Sequence, residues 1–376
     1  MKKKLLAAVL CVAMVAATLV GCGSSNDGKK DESKKSDLKV GVFYYTYADP
    51  YIASVRTALD KQLKDNGIDY QNYDGNNNQT QQNEQIDTAI QTGANLLIVN
   101  VVTSANNDVS TQILDKAKQA DIPVIFFNRV VEDEKSEGKI LGSYDKCAFV
   151  GTDAPEAGHM QGEMIGDYLV KNYDKVDLNK DGKISYAMFM GELGNAEAVY
   201  RTQYSVEDAN KKLVAAGKPE LQFFDPSNKD KYQVDQGGAW SAAEANNYMN
   251  TNLSQYNEGS KNMIELVICN NDGMAEGAIA ALNDKGYNLG KEKPESKVIP
   301  VFGVDATDAA KKLIADGKMM GTIKQDAEGM AKCIADLTNN VAEGKELMKI
   351  DKSYKISDKV KNKIFIPYGI YTGEAK

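Results

Sequence analysis

At 376 residues, with 42% apolar side chains, the chain is long enough for two domains, each with its own core. Its net charge is −8 and no long basic block interrupts that balance, which excludes a grip on nucleic-acid phosphates as the expected role. A single histidine excludes multi-histidine zinc chemistry and leaves any Ser-His-Asp or Cys-His system only His159 to run through.

The chain opens MKKKLLAAVLCVAMVAATLVGC, three lysines followed by an apolar run to Val20, which is the layout of an export signal. The run is shorter than the roughly 20 residues that span a bilayer. It ends in LVGC, which resembles the bacterial lipobox, whose cysteine is diacylated and becomes the first mature residue. Two acyl chains hold a protein on a membrane where one would not. Residues 1–21 are therefore expected to be a lipoprotein signal peptide and Cys22 the lipidated residue. Residues 22–37 are expected to form a flexible tether, since residues 23–37 contain nothing apolar to offset their ordering entropy. The protein would then sit lipid-anchored on the extracytoplasmic face of the cell membrane. Cys147, Cys269 and Cys333 are odd in number, far apart and without C-x-x-C spacing, so neither a zinc site nor a disulfide framework is suggested.

From Leu38 onward, short apolar runs (LKVGVFYY, NLLIVNVV, IPVIFF, ISYAMFM, IELVIC, VIPVFGV) alternate with longer amphipathic stretches. YIASVRTALDKQLKDNG repeats apolar residues at helical spacing and ends on Gly67, a helix stop. Strand–helix alternation with continuously apolar strands predicts parallel sheets covered on both faces. The pattern pauses near DEKSEGKILGSYDK and then repeats, which predicts two doubly wound α/β domains. Ligands of such sheets sit at the carboxyl ends of the strands.

Those ends carry Asp49 and Tyr51, Asn128, then Asn270, Asn271 and Asp272, and Asp305; GELGNAEAVYR follows the strand ISYAMFM, and the only tryptophan is Trp240. Short acids, amides, one arginine and flat rings suit a hydroxyl-rich ligand: the polar groups pair with several hydroxyls, and the rings cover C–H faces. Taken singly, an Asp or Asn after a strand is commonly a turn residue or a helix N-cap, and a tryptophan such as Trp240 is more often core than platform; their joint placement at strand ends is what points to a ligand.

DLNKDGKIS matches the first nine positions of a calcium loop: Asp177, Asn179 and Asp181 alternate, Gly182 makes the sharp turn, Lys183 offers its carbonyl and Ser185 follows. Met188 holds the twelfth position, so a bidentate glutamate would have to come from elsewhere; an Asp/Asn-rich turn is the other reading. His159 falls within a helical stretch and is expected to have no role in chemistry. No pair among Asp49, Glu197 and Asp305 is set apart by an apolar environment as glycoside hydrolysis would need, so the chain is not expected to be an enzyme.

Together these segments resemble the periplasmic glucose/galactose-binding protein family, type I sugar-binding proteins that feed ABC transporters. QNEQIDTAI, IPVIFFNR, SYDKCAFVGTDAPEAG, DLNKDGKI, NNDGMAEGAIAAL and IPVFGVDA are similar to family segments in the same order, from Leu38 to the C-terminus. The resemblance implies that Asp49, Asn128, Arg201, Asn271 and Asp305 hydrogen-bond a sugar and that Trp240 stacks on its ring. Tyr51 takes the opposing aromatic position, where Phe is usual. Asn195, Glu197 and Gln325 stand where the family has His, Asp and Asn. The resemblance also implies a structural Ca2+ held by Asp177, Asn179, Asp181, Lys183, Ser185 (in place of Gln) and the remote Glu265. It further implies three crossings between lobes, near 146–148, 324–328 and 360–365. The N-terminal lobe would comprise 38–146 plus 327–361, and the C-terminal lobe, with the calcium loop, 147–325 plus 362–376.

The expectation is thus a periplasmic-binding-protein type I fold, two lobes on a three-strand hinge. It would act as a monomer, taking glucose, galactose or a methyl-galactoside by lobe closure and delivering it to an ABC permease. The alternatives are another monosaccharide such as ribose or xylose and, behind them, a glycosidase.

Overall fold

The computed structural model describes residues 37–373. The expected signal peptide, the lipidated Cys22 and all but the end of the expected tether lie outside these residues. In chain order the first half runs β1 (Lys39–Tyr44), α1 (Pro50–Asp65), β2 (Asp69–Asp74), α2 (Gln79–Gln91), β3 (Leu96–Val99), α3 (Asn107–Ala120), β4 (Val124–Phe127) and β5 (Cys147–Gly151). There follow α4 (Ala154–Val176), β6 (Ser185–Met190), α5 (Ala196–Ala215), β7 (Gln222–Phe223), β8 (Gln233–Val234) and α6 (Ala242–Gln255). The chain continues with β9 (Ile264–Cys269), α7 (Asp272–Asp284), β10 (Val301–Asp305), α8 (Asp308–Ala315) and β11 (Gly321–Gln325). It ends with α9 (Ala327–Ala342), β12 (Lys355–Ile356), β13 (Lys363–Phe365) and β14 (Tyr368–Tyr371).

Among the described residues the strands form two sheets, in the orders β12-β13-β5-β4-β3-β1-β2 and β14-β11-β10-β9-β6-β7, with β8 also pairing β6. Pairing is parallel except where β12 meets β13 and β14 meets β11. Strands β2-β1-β3-β4-β5 and β7-β6-β9-β10-β11 repeat one doubly wound order, which reverses beside the first strand of each half. The apolar runs dictate this arrangement, because every residue of β3, β4, β5, β6, β9 and β10 is buried. Along β1, Val40, Val42 and Tyr44 enter a core shared with Leu59, Ile334 and Leu337, while Phe43 enters the opposite core with Ile86, Ile113 and Phe126. Period-two alternation thus serves two covered faces.

α1 starts where Pro50 presets the first turn and Asp49 accepts from Ile52 N (2.9 Å); it buries Tyr51, Ile52, Val55, Leu59 and Leu63. α4 and α5 lie backbone to backbone. A Cβ on Gly158 would stand 2.4 Å from the carbonyl oxygen of Tyr200, and one on Gly162 2.5 Å from that of Tyr204, so only glycine admits this approach. The close packing fixes the N-terminus of α5, where three expected site residues sit. Cys147, Cys269 and Cys333 are free and buried. No helix among the described residues is long and apolar enough to cross a membrane.

The chain passes between the sheets three times. Because β5 and β13 pair in the first sheet, the passages follow Gly151, Gln325 and Phe365. The first lies a few residues beyond the expected 146–148, the second falls within 324–328, and the third lies at the end of 360–365. Hydrogen bonding thus keeps residues 147–151 and 363–365 with the first sheet, whereas the sequence reading assigned both to the second lobe.

Candidate binding site

The carboxyl ends of both sheets face one crevice lined by Tyr45, Asp49, Tyr51, Asn128, Arg129, Asn195, Glu197, Arg201, Trp240, Asn271, Asp305 and Gln325. All ten expected ligand-contacting residues are therefore brought together, and Tyr45 and Arg129 join them. Asn270 and Asp272, also at a strand end, do not line the crevice. Asn270 accepts Gly191 N (3.1 Å) with its side chain and Arg201 Nη1 (2.9 Å) with its carbonyl; Asp272 takes Thr322 Oγ1 (2.6 Å) and Thr307 N (2.8 Å). Both hold up the wall behind the crevice.

Local structure positions the walls. Asp49, Asn195 and Asn271 are N-caps of α1, α5 and α7, each accepting a backbone N–H of its own helix. Asp49 also accepts from Tyr45 OH (2.6 Å), and Asn271 donates to the Trp240 carbonyl (3.3 Å). Asn128, Trp240 and Asp305 have φ of 60°, 56° and 129°. Such settings cost about 1–3 kcal/mol each and gather where surrounding structure over-determines them. The Trp240 ring rests against Gly191, whose added Cβ would stand 2.1 Å from it.

The charges interlock. Arg201, 3% exposed, donates to Glu197 (2.9 Å), Gln325 Oε1 (2.9 Å) and Tyr368 OH (3.1 Å), as well as to the Asn270 carbonyl. Burial works against the Arg201 cation, but Tyr368, Glu197 and Asp305 hold its pKa above the usual value. Burial, then the neighbouring Asp272 carboxyl, pushes Asp305 well above the usual carboxylate range, with Arg201 pulling it back. From the first lobe, Arg129 stacks on Tyr45 (4.2 Å to the ring centre) and donates to Glu192 of the second lobe (2.5 Å). Glu192 also accepts from Asn195 Nδ2 (3.1 Å) and Trp240 Nε1 (3.4 Å). Asn77 to the Gly237 carbonyl (2.8 Å) and Tyr200 to Glu134 (2.7 Å) are further contacts between lobes.

Arg129 Nε, Arg201 Nε and Gln325 Nε2 are buried donors with no partner among the described residues. Leaving such groups unpaired costs about 1–3 kcal/mol each, so the crevice is built to receive acceptor oxygens. Its carboxylates and amides, with Trp240 and Tyr51 beside them, can take hydroxyls and the carbon skeleton that bears them. Arg129 was legible in the sequence as the residue after Asn128, and Tyr45 as a strand-end residue of β1. Glu192, in GELGNAEAVYR, and Thr152, directly after β5, also sit at strand ends, whereas Tyr368 carried no such signal.

His159 lies outside the crevice, its Nδ1 2.6 Å from Asp208 and its ring stacked on Tyr204. In the expected calcium loop, Asp177 accepts from Asp181 N and Gly182 N, Asn179 Oδ1 from Asp181 N, and Asp181 from Lys183 N. Glu265, 1% exposed, reaches this loop from β9 and accepts from Leu178 N (2.6 Å), Asn179 N (3.2 Å) and Ser185 N (3.3 Å). Burial above all, with Asp177 adding to it, raises the Glu265 carboxyl to about 7 despite those bonds. Among the described residues no group of three or more His, Cys, Asp or Glu side chains is gathered as a metal site.

Residues 40–346 match the model of the periplasmic binding protein domain family. The chain is 35% identical over 342 residues to the D-galactose/methyl-galactoside binding periplasmic protein of Haemophilus influenzae, covering 91% of each chain. It is 24% identical to the ribose import binding protein of Bacillus subtilis, over 86% of this chain and 87% of the other. Among solved structures, an ABC transporter solute-binding protein of Clostridium phytofermentans with bound beta-D-glucose superposes with a TM-score of 0.66 at 22% identity, covering 89% of this chain and 94% of that one.

Proposed function

The chain belongs to the periplasmic binding protein family, and from that premise we propose that it captures a hexopyranose, glucose or galactose, and delivers it to an ABC permease. The family is one of solute-binding transport proteins and not of enzymes. One observation carries the choice of ligand: carboxylates, amides, two arginines and three aromatic rings from both lobes line a single crevice. Asp49, Tyr51 and Asn128 come from the first lobe, and Asn195, Glu197, Arg201, Trp240, Asn271, Asp305 and Gln325 from the second. A ligand that touches both lobes favours the closed arrangement by its differential affinity, which is how capture becomes a shape for the permease to read. The Haemophilus relative is named for galactose and methyl-galactoside binding, which supports a hexose over a pentose.

A thermal-shift panel of monosaccharides tests this reading, since a ligand bound only by the folded state raises the unfolding midpoint. D-glucose or D-galactose is expected to give the largest rise, with ribose and xylose behind. A panel without any response sinks the proposal. Asp49→Ala removes an acceptor from the wall and is expected to weaken hexose binding by about 1–3 kcal/mol in calorimetry. Unchanged affinity would remove Asp49 from the site.

We also propose that Asp177, Asn179, Asp181, the Lys183 carbonyl, Ser185 and Glu265 hold a structural Ca2+. The fit rests on chemistry: the buried Glu265 carboxylate reaches the loop of Asp177, Asn179 and Asp181, where it accepts from Leu178 N, Asn179 N and Ser185 N and feels the Asp177 charge, and hard carboxylate and carbonyl oxygens are what calcium takes. A bound cation would pin the loop to β9. After chelation, adding calcium at about 100 times its dissociation constant is expected to stabilise the fold by about 2.7 kcal/mol. An unfolding midpoint indifferent to calcium contradicts the assignment. The remaining proposals are a monomer, lipid-anchored through Cys22 on the extracytoplasmic face, with residues 22–37 as tether.

A further inference from the structure

Each of the three passages between the lobes contains or directly adjoins one residue whose side chain meets the same buried charged pair. Thr152 follows β5 on the first passage and donates to Glu197 Oε1 (2.7 Å). Gln325 ends β11 at the second passage and accepts from Arg201 Nη2 (2.9 Å). Tyr368 opens β14 on the third passage; its hydroxyl lies 2.8 Å from Glu197 Oε2, 3.1 Å from Arg201 Nη2 and 3.0 Å from Thr152 Oγ1. The one phenolic proton goes to the carboxylate, and its lone pairs are left for the guanidinium. Tyr368 is 8% exposed and does not line the crevice, whereas Glu197, Arg201 and Gln325 do. One hydroxyl therefore joins two ligand-facing groups to two of the three hinge passages.

We propose that Tyr368 is a positioning residue that couples occupancy of the crevice to the setting of the hinge. The inference rests on the hexose-binding reading. Arg201 and Glu197 stand on α5, which glycine packing fixes against α4. The passages, at most two residues long between their flanking elements, are the parts that turn. A ligand that engages the remaining edges of Arg201 and Glu197 holds both groups in one orientation. Through Tyr368 that orientation fixes the third passage, and through Thr152 and Gln325 the other two. Without the hydroxyl, ligand still reaches the crevice, but its contacts no longer set the hinge.

Tyr368→Phe keeps the ring and removes the hydroxyl. The test follows D-glucose or D-galactose binding by calorimetry and compaction by small-angle X-ray scattering, on wild type, Tyr368→Phe and Thr152→Val. Wild type is expected to compact on saturation. Tyr368→Phe is expected to bind about tenfold more weakly and, once saturated, to stay less compact than saturated wild type. Thr152→Val should behave in the same direction, and the double variant should lose less affinity than the product of the single losses. A residue with a merely structural role would lower the unfolding midpoint and leave the saturated shape unchanged; that outcome overturns the inference. So does a Tyr368→Phe chain with wild-type affinity and compaction. A wild type that takes up neither sugar overturns the binding reading and this inference with it, whereas the preceding outcomes overturn the inference alone.

Discussion

Arg201→Ala is expected to abolish measurable hexose binding and to lower folding stability by about 3–5 kcal/mol. Among the described residues this side chain is the one cation that Glu197 meets at hydrogen-bond distance, and both are buried, so removing it leaves a carboxylate without that counter-charge. Gln325 Oε1 and the Asn270 carbonyl lose a donor in the same step. Arg201→Lys returns the charge but not the planar fork that reaches four acceptors, and is expected to recover part of the stability and little of the binding. Urea unfolding and calorimetry on the two variants separate these effects. An Arg201→Ala chain that binds within tenfold of wild type would remove the arginine from the ligand's reach.

The second large effect comes from one methyl group. Gly191→Ala puts a Cβ 2.1 Å from the Trp240 ring, far inside contact distance. Trp240 cannot retreat along its own backbone, which is held at φ 56° and tied to Asn271 through its carbonyl. The ring must therefore turn, giving up its position beside Glu192 and Arg201. Overpacking of this kind costs about 1–3 kcal/mol of stability, and the lost ring contact is expected to weaken hexose binding at least about tenfold. Trp240 is the only tryptophan, so a shift in emission reports the displacement directly. Wild-type affinity with an altered emission spectrum would show that the ring is core alone.

Much of this arrangement could be read before folding, because the buried strands are written as unbroken apolar runs. Where the sequence was quiet, burial explains the silence. β2, DYQNYD, is an edge strand with no fully buried residue, so it carries no apolar run. At β5 and β13 the family-based boundaries fell short, since sheet membership is decided by pairing between residues some 200 apart and not by local pattern. The strand-end residues offered two readings, cap or ligand contact, and the structure joins them: Asp49, Asn195 and Asn271 cap helices with one oxygen and still line the crevice. Trp240 is likewise both packed and crevice-facing. Tyr368 was invisible as a site residue because its partners, Glu197 and Arg201, are distant in sequence. Glu192 sits within GELGNAEAVYR, but nothing local marks it as the acceptor that draws Arg129 across from the other lobe.

The most direct test is a crystal structure of the chain grown with D-galactose or D-glucose. The expected result is one sugar in the crevice, bonded to Asp49 of the first lobe and Asp305 of the second, with its ring against Trp240. A sugar seated elsewhere, or held by a single lobe, would contradict capture by closure.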